Sequence, residues 1–125
     1  MRLLLDTHVY LWALMDDRKL GKVARKLILD ADEVYVSSAS IWEASIKSSL
    51  GKLDVDIEQL VEQIEASGFR ELPVRALHAA RVRSLPDIHR DPFDRMLVAQ
   101  ALTEPLRLMT ADAHLSKYTE LVLSV

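Results

Sequence analysis

The sequence predicts an α/β fold built on a mainly parallel sheet. Three observations carry that expectation. Short apolar runs that read as buried strands alternate with longer segments of helical periodicity, the pattern of βαβ units. Half of the 125 residues are hydrophobic, enough for the core of a single domain spanning 1–125 without covalent staples. Finally, Asp6, Glu43, Asp94 and Asp112 each stand at the end of a strand-like run or in the first turns of a helix-like one. In an open parallel sheet those places share one edge, where ligands bind.

The elements follow in order. Arg2–Leu5 is short, apolar and closed by a polar break, so it reads as a buried strand. Val9–Met15 is a short helix carrying Tyr10 and Trp12. Leu20–Ala31 is a second helix, with Val23, Leu27 and Ile28 expected on one apolar stripe. Val34–Ser37 is a strand. Ala39–Leu50 is a helix stopped by Gly51, a residue suited to the position after a helix end. Ile57–Ala66 is a helix with Leu60, Val61 and Ile64 at helical spacing, closed by Gly68. Phe69–Leu72 is a strand and Arg75–Ser84 a helix. Pro92 opens a long helix to about Glu104, proline being favoured at the first helical position. Leu106–Thr110 is the fourth strand and Leu121–Val125 a short fifth.

Composition excludes several classes. With no cysteine there is no disulfide, thiolate metal site or cysteine nucleophile, and a reducing cytoplasm is the expected compartment. No apolar run approaches the roughly 20 residues that span a bilayer, so no membrane association is expected. The net charge of −3 excludes a globally basic nucleic-acid binder. Arg18, Lys19, Lys22, Arg25 and Lys26 nonetheless form a run without an acid, a candidate phosphate-facing patch or a solvated helix face. The four histidines are scattered, which makes zinc a poor reading. No GxGxxG, phosphate-binding loop or GxSxG elbow is present.

Each acid has an ordinary explanation. Asp6 can cap the following helix, and Asp112 the turn before Leu115. Ser40 and Glu43 have capping-box spacing. Asp91, Pro92 and Asp94 form a helix-start signature. What capping leaves unexplained is their joint placement at one end of the sheet. Carboxylates gathered there repel one another unless a cation joins them, so the pattern points to a hard-metal site. Thr7 and Thr110 stand beside site acids and are placed to orient carboxylates. His89 is expected to support the loop before Asp91, a contact with substrate phosphate being the alternative.

These residues resemble the PIN-domain ribonucleases, and more closely the VapC-type toxins of bacterial toxin–antitoxin pairs. Leu4-Leu5-Asp6-Thr7-His8 is similar to that family's opening strand and first acid. Ser40-Ile41-Trp42-Glu43-Ala44, with Ile46-Lys47 and Leu50-Gly51-Lys52-Leu53, resembles the segment bearing the second. His89-Arg90-Asp91-Pro92-Phe93-Asp94-Arg95-Met96-Leu97 with Ala99-Gln100-Ala101 matches the third in detail, and Thr110-Ala111-Asp112 fits the fourth. One departure is His8, where many members carry Asn or Ser.

The resemblance implies a three-layer α/β/α sandwich. It implies an Mg²⁺- or Mn²⁺-dependent endonuclease acting on single-stranded or loop RNA, a homodimer, and a cognate antitoxin that blocks the site. Asp6 and Asp94 would be the principal ligands, with Asp112 and Glu43 binding directly or through water. Water would attack the phosphodiester, and Arg90, Arg95 and Lys47 are candidate phosphate contacts, solvent-facing ion pairs being the alternative. A receiver-like domain would want a phospho-accepting Asp on its third strand, which here ends in Leu72-Pro73. A structure-specific DNA nuclease shares the chemistry, but 125 residues leave little room for its clamp and duplex-binding extensions. A catalytically silent RNA- or protein-binding module would more often have lost one of the acids.

Overall fold

A computed structural model of the chain describes residues 1–125. Its elements are β1 (Arg2–Leu5), α1 (Thr7–Leu14), α2 (Lys22–Asp30), β2 (Glu33–Ser37), α3 (Ser38–Ser49), α4 (Ile57–Ala66), β3 (Arg70–Leu72), α5 (Ala76–Val82), α6 (Pro92–Thr103), β4 (Arg107–Thr110), a 3₁₀ turn (Ala113–Lys117) and β5 (Val122–Ser124). The strands form one sheet in the order β3-β2-β1-β4-β5, and every pairing is parallel. β1 is central, pairing Leu3 with Val34 on one side and with Arg107 on the other. The strand order reverses direction between β1 and β4, so that the crevice above this pair is where an open parallel sheet places its ligand site.

Both faces of the sheet are covered, which is why β1 is apolar at every buried position rather than alternating. Leu3 and Leu5 point into a core completed by Val34, Val36, Tyr10, Ala24, Leu60 and Ile64. Leu4 points the other way, toward Leu97, Val98, Ala101, Leu106 and Leu108. The period-two geometry of a strand thus feeds two helical layers from consecutive leucines. The expected three-layer sandwich is the observed architecture. No helix is long and apolar enough to cross a membrane.

The elements fall within a few residues of expectation, and the differences have local causes. Val23 is exposed, and α2 buries Ala24 and partly buries Leu27 and Ile28. Val61 is likewise exposed beside buried Leu60 and Ile64. In both helices the apolar stripe is narrower than the sequence pattern. Helix α3 starts one residue earlier than expected because Ser37 caps it, its Oγ accepting the Ala39 N–H at 3.0 Å. The Ser40–Glu43 capping box is therefore a correction: both residues lie inside the helix. Gly51 and Gly68 close α3 and α4 with φ of 72° and 80°, the left-handed region glycine occupies without penalty. α5 is shorter than expected and docks on α6 through His78. That buried ring accepts the Arg75 N–H at Nδ1 and donates from Nε2 to Glu104.

One buried polar contact ties α1 to α4. The Tyr10 hydroxyl donates to the Leu60 carbonyl at 2.6 Å, and its ring meets Phe69 edge-on at 6.3 Å. Tyr10→Phe keeps the packing and removes the bond. Urea denaturation is expected to show a loss of about 1 kcal/mol, the usual worth of one such hydrogen bond. An unchanged midpoint would mean that packing alone joins these helices.

Candidate functional site

Four elements deliver acids to one cleft above the carboxyl ends of β1 and β4. Asp6 follows β1, Glu43 lies two turns into α3, Asp94 is in the first turn of α6, and Asp112 follows β4. The cleft has a volume of about 360 Å³, and Thr7, His8, Trp12, Lys47, Asp91 and Ala111 share its walls with these four carboxylates. The acids expected to converge do converge.

Each is held by its own hydrogen bonds. Asp6 is only 6% exposed; Oδ1 accepts the Val9 N–H at 2.9 Å and Oδ2 accepts the Thr110 hydroxyl. It is therefore both a helix cap and a site acid. The Thr110 oxygen in turn accepts the Asp112 N–H at 3.0 Å, so one hydroxyl links two acids. Glu43 is 5% exposed, deeper than the half-buried setting its neighbours imply, because Trp42 turns outward instead. Its Oε1 accepts the Thr7 hydroxyl at 2.7 Å, Ser40 Oγ lies 2.9 Å from the same hydroxyl, and its Oε2 pairs with Lys47 at 2.8 Å. Asp91 is the N-cap of α6, with Oδ1 accepting the Phe93 and Asp94 N–H groups at 2.8 and 3.0 Å. Thr7, Asp91 and Thr110 thus stand in supporting positions.

His89 ties the loop to the acids. Its Nδ1 accepts the Asp91 N–H at 3.1 Å, which leaves the proton on Nε2. Nε2 then donates to Asp112 Oδ2 at 3.1 Å and lies 3.7 Å from Asp94. His89, Asp94 and Asp112 come close enough to hold one ion, but a protonated Nε2 cannot be a ligand. His114, on the far side, donates its N–H to Asp112 Oδ1 at 3.0 Å. Sequence reasoning missed His114 and Ser40, whose contacts depend on turn and helix geometry that no motif marks. For His89 it offered loop support or a phosphate contact, and not the bond to Asp112.

The charges are strained. Burial, then the neighbouring Asp91 and Asp6, push Asp94 up to about 7. Burial also raises Asp6, opposed by Thr110 and the Val9 N–H. For Asp112 burial acts upward too, but the His114 and His89 hydrogen bonds and the His89 charge together hold it below the usual carboxylate range. Lys47 is raised, first by its hydrogen bond to Glu43 and against some burial.

The basic residues sort differently from expectation. Arg95 points away from the cleft: its guanidinium donates to the carbonyls of Pro86, His89 and Val82 and to the Tyr118 hydroxyl. It holds the 82–89 loop. Arg90 is exposed without a side-chain partner, and Lys47 lies in the cleft. The Arg18–Lys26 run is partly neutralised, since Arg25 pairs with Asp16 and Lys26 with Asp30 at 2.8 Å.

The PIN domain pattern matches residues 3–121. The chain belongs to the PIN-domain family. Among curated PIN relatives, Ribonuclease VapC22 of Mycobacterium tuberculosis is 30% identical over 121 residues, covering 92% of this chain and 90% of that one. Three solved structures share the PIN fold. The VapBC2 structure from Rickettsia felis, bound to a promoter DNA fragment, has a TM-score of 0.69 at 16% identity, covering 99% of this chain and 98% of that one. A toxin–antitoxin complex from Klebsiella pneumoniae has 0.66 at 18% identity, covering 98% and 96%. FitAB bound to a DNA fragment also has 0.66 at 18%, covering 98% and 94%. The acid cleft of this PIN domain spans the matched region from its first strand to its fourth.

The raised carboxylates give the metal-free protein a distinctive pH dependence. A carboxyl lifted in the folded state stabilises the fold when protonated, and that stability is lost as pH rises toward the folded value. The window runs from the ordinary carboxylate pKa of about 4 to the Asp94 value of about 7. Asp94→Asn removes this loss. In chelator, the melting temperature of the variant is expected to climb relative to wild type across that window and to exceed it at pH 8. A difference that does not vary with pH would show that Asp94 carries no electrostatic strain.

Proposed function

We propose that this chain is a metal-dependent endoribonuclease, the toxin of a type II toxin–antitoxin pair, cutting single-stranded or loop RNA. The observation that supports this most is the cleft in which four carboxylates face one another, with Asp94 pushed up to about 7 by burial and its acidic neighbours. Such crowding is relieved by a cation. The donors are all carboxylate oxygens, a set that suits hard Mg²⁺ or Mn²⁺ rather than zinc. Asp6 and Asp94 would be the principal ligands, with Asp112 and Glu43 completing the set. A cation held by these residues would supply a more acidic water and charge to offset that of the phosphate.

The chain's own residues supply position. Thr110 and the Val9 N–H fix Asp6, and Asp91 fixes the first turn of α6 and with it Asp94. Lys47 and Arg90 offer cations to the phosphate, while Arg95 keeps the loop before α6 in place. Water attacks phosphorus as its bond to the 3′-oxygen breaks. The products are a 5′-phosphate and a 3′-hydroxyl. The Mycobacterium tuberculosis relative, a ribonuclease, supports RNA as substrate, and the solved neighbours, which are toxin–antitoxin assemblies, support an antitoxin partner. We place that antitoxin over the acid cleft and the adjoining α1–α2 surface, with a basic side chain toward the carboxylates.

The homodimer has a suitable face on this chain. Trp42, Ile46 and Leu50 recur at intervals of four along the outer side of α3, and all three are exposed. Exposed Val74 extends the patch, since with Trp42, Phe93 and Met96 it lines an apolar groove of about 600 Å³. Contiguous exposed apolar surface of this kind marks association sites.

Asp94→Asn is expected to abolish Mn²⁺-dependent RNA cleavage while leaving a folded protein, since the amide keeps shape and loses the charge. Asp91→Asn should be milder, because asparagine also caps helices well. Wild-type cleavage by Asp94→Asn, or no cleavage by the wild type in any divalent ion, would sink the nuclease reading. Ile46→Lys is expected to convert a dimer to a monomer in sedimentation at micromolar concentration. A dimer that survives the substitution moves the interface elsewhere.

A further inference from the structure

The acid cleft contains an aromatic side chain that the acids do not require. Trp12 lies on α1, where Val9, Tyr10 and Leu11 are buried. Trp12 itself is only partly buried: it packs against the core and also forms part of the cleft wall. The only other apolar residue in that wall is Ala111. One helical turn back, the exposed His8 ring stands 6.1 Å from the indole, tilted at 48°, and makes no side-chain hydrogen bond of its own. A tryptophan is an unusual neighbour for four carboxylates. It is the common partner of an unstacked base, because every base has a π-face and stacking on an aromatic ring tolerates any sequence.

We propose that Trp12, with His8 at its edge, is a base-stacking platform that binds the nucleotide next to the phosphate held at the acids. This rests on the nuclease reading for what lies at the acids. It goes beyond it by assigning the residues that choose an unpaired strand. Only a nucleotide free of its own neighbours can lay its base on the indole while its phosphate reaches the carboxylates. His8 presents ring nitrogens at the edge of the platform, where the polar groups of base and ribose lie. Because Trp12 follows Asp6 by six residues on the helix that Asp6 itself caps, platform and metal ligand are held in one rigid piece.

The experiment separates stacking from packing. Trp12→Leu keeps apolar contact with the core and removes the π-face, whereas Trp12→Phe keeps both. With a short single-stranded RNA and Mn²⁺, Trp12→Leu is expected to raise KM roughly ten-fold with kcat little changed, the loss of one stacked base, and Trp12→Phe to restore most of it. The second readout needs no cleavage. The chain has two tryptophans, so in Trp42→Phe the emission comes from Trp12 alone. AMP or UMP should quench it saturably and ribose 5-phosphate should not. A wild-type KM in Trp12→Leu, or quenching that does not distinguish nucleotide from ribose 5-phosphate, overturns the platform. Nucleotide quenching in a protein that cleaves no RNA would instead leave the platform standing and remove the nuclease reading.

Discussion

Carboxylates brought together at one edge of a parallel sheet repel, and the local structure of this protein is organised around that repulsion. A parallel sheet sends every chain out at the same side, so residues that follow β1 and β4 meet whatever their distance in sequence. Here the meeting residues are Asp6 and Asp112, with Asp94 and Glu43 added by helices that start or run at the same edge. The fold answers the repulsion group by group. Asp6 receives a helix N-terminus and a threonine hydroxyl, Glu43 a lysine and a threonine, and Asp112 two histidines. Asp94 receives least. Its nearest cationic candidate is a histidine 3.7 Å away, and its neighbours include Asp91 and Asp6. The unrelieved charge is concentrated on the residue in the densest motif of the sequence.

Much of this arrangement is legible without coordinates. The strands are short, apolar and bounded, so their number and parallel sense follow from the alternation with helices, whereas their spatial order does not. The acids are legible because helix caps and strand ends are the very places where an open sheet builds sites. Asp6, Asp91 and Asp112 are indeed caps, which shows that the structural and the chemical explanations of an acid do not compete. Other features were not legible because they depend on rotation about an axis. Whether Val23, Val61 or Trp42 faces in or out depends on how a helix is turned against the sheet, and one residue of offset is about 100°. The same rotation buries Glu43 deeply while exposing Trp42 beside it. Arg95 shows a different limit. Sequence placed a cation next to the acids, and only the path of the 82–89 loop reveals that its guanidinium is engaged by carbonyls.

The charge pattern carries a similar lesson at longer range. The run from Arg18 to Lys26 contains no acid, yet Asp16 and Asp30 fold back on it from either side. A stretch that is basic by sequence is mixed in space. Arg18, Lys19 and Lys22 keep their charge free of such partners, so any electrostatic steering of a polyanion comes from the turn before α2 and that helix's first residue.

Thr110 lends its hydroxyl to Asp6 across 104 residues of chain and receives the Asp112 amide in return. This single contact has a consequence in time. A nascent polypeptide leaves the ribosome from its first residue onward, at a rate of about 5–20 residues per second. Asp6 is made 104 residues before Thr110, which lies on the strand that completes its surroundings. Until β4 inserts beside β1, Asp6 has neither its threonine nor its partner acid. The acid cleft is therefore absent from every chain that has not yet reached β4, and it assembles only when that strand closes the sheet beside β1.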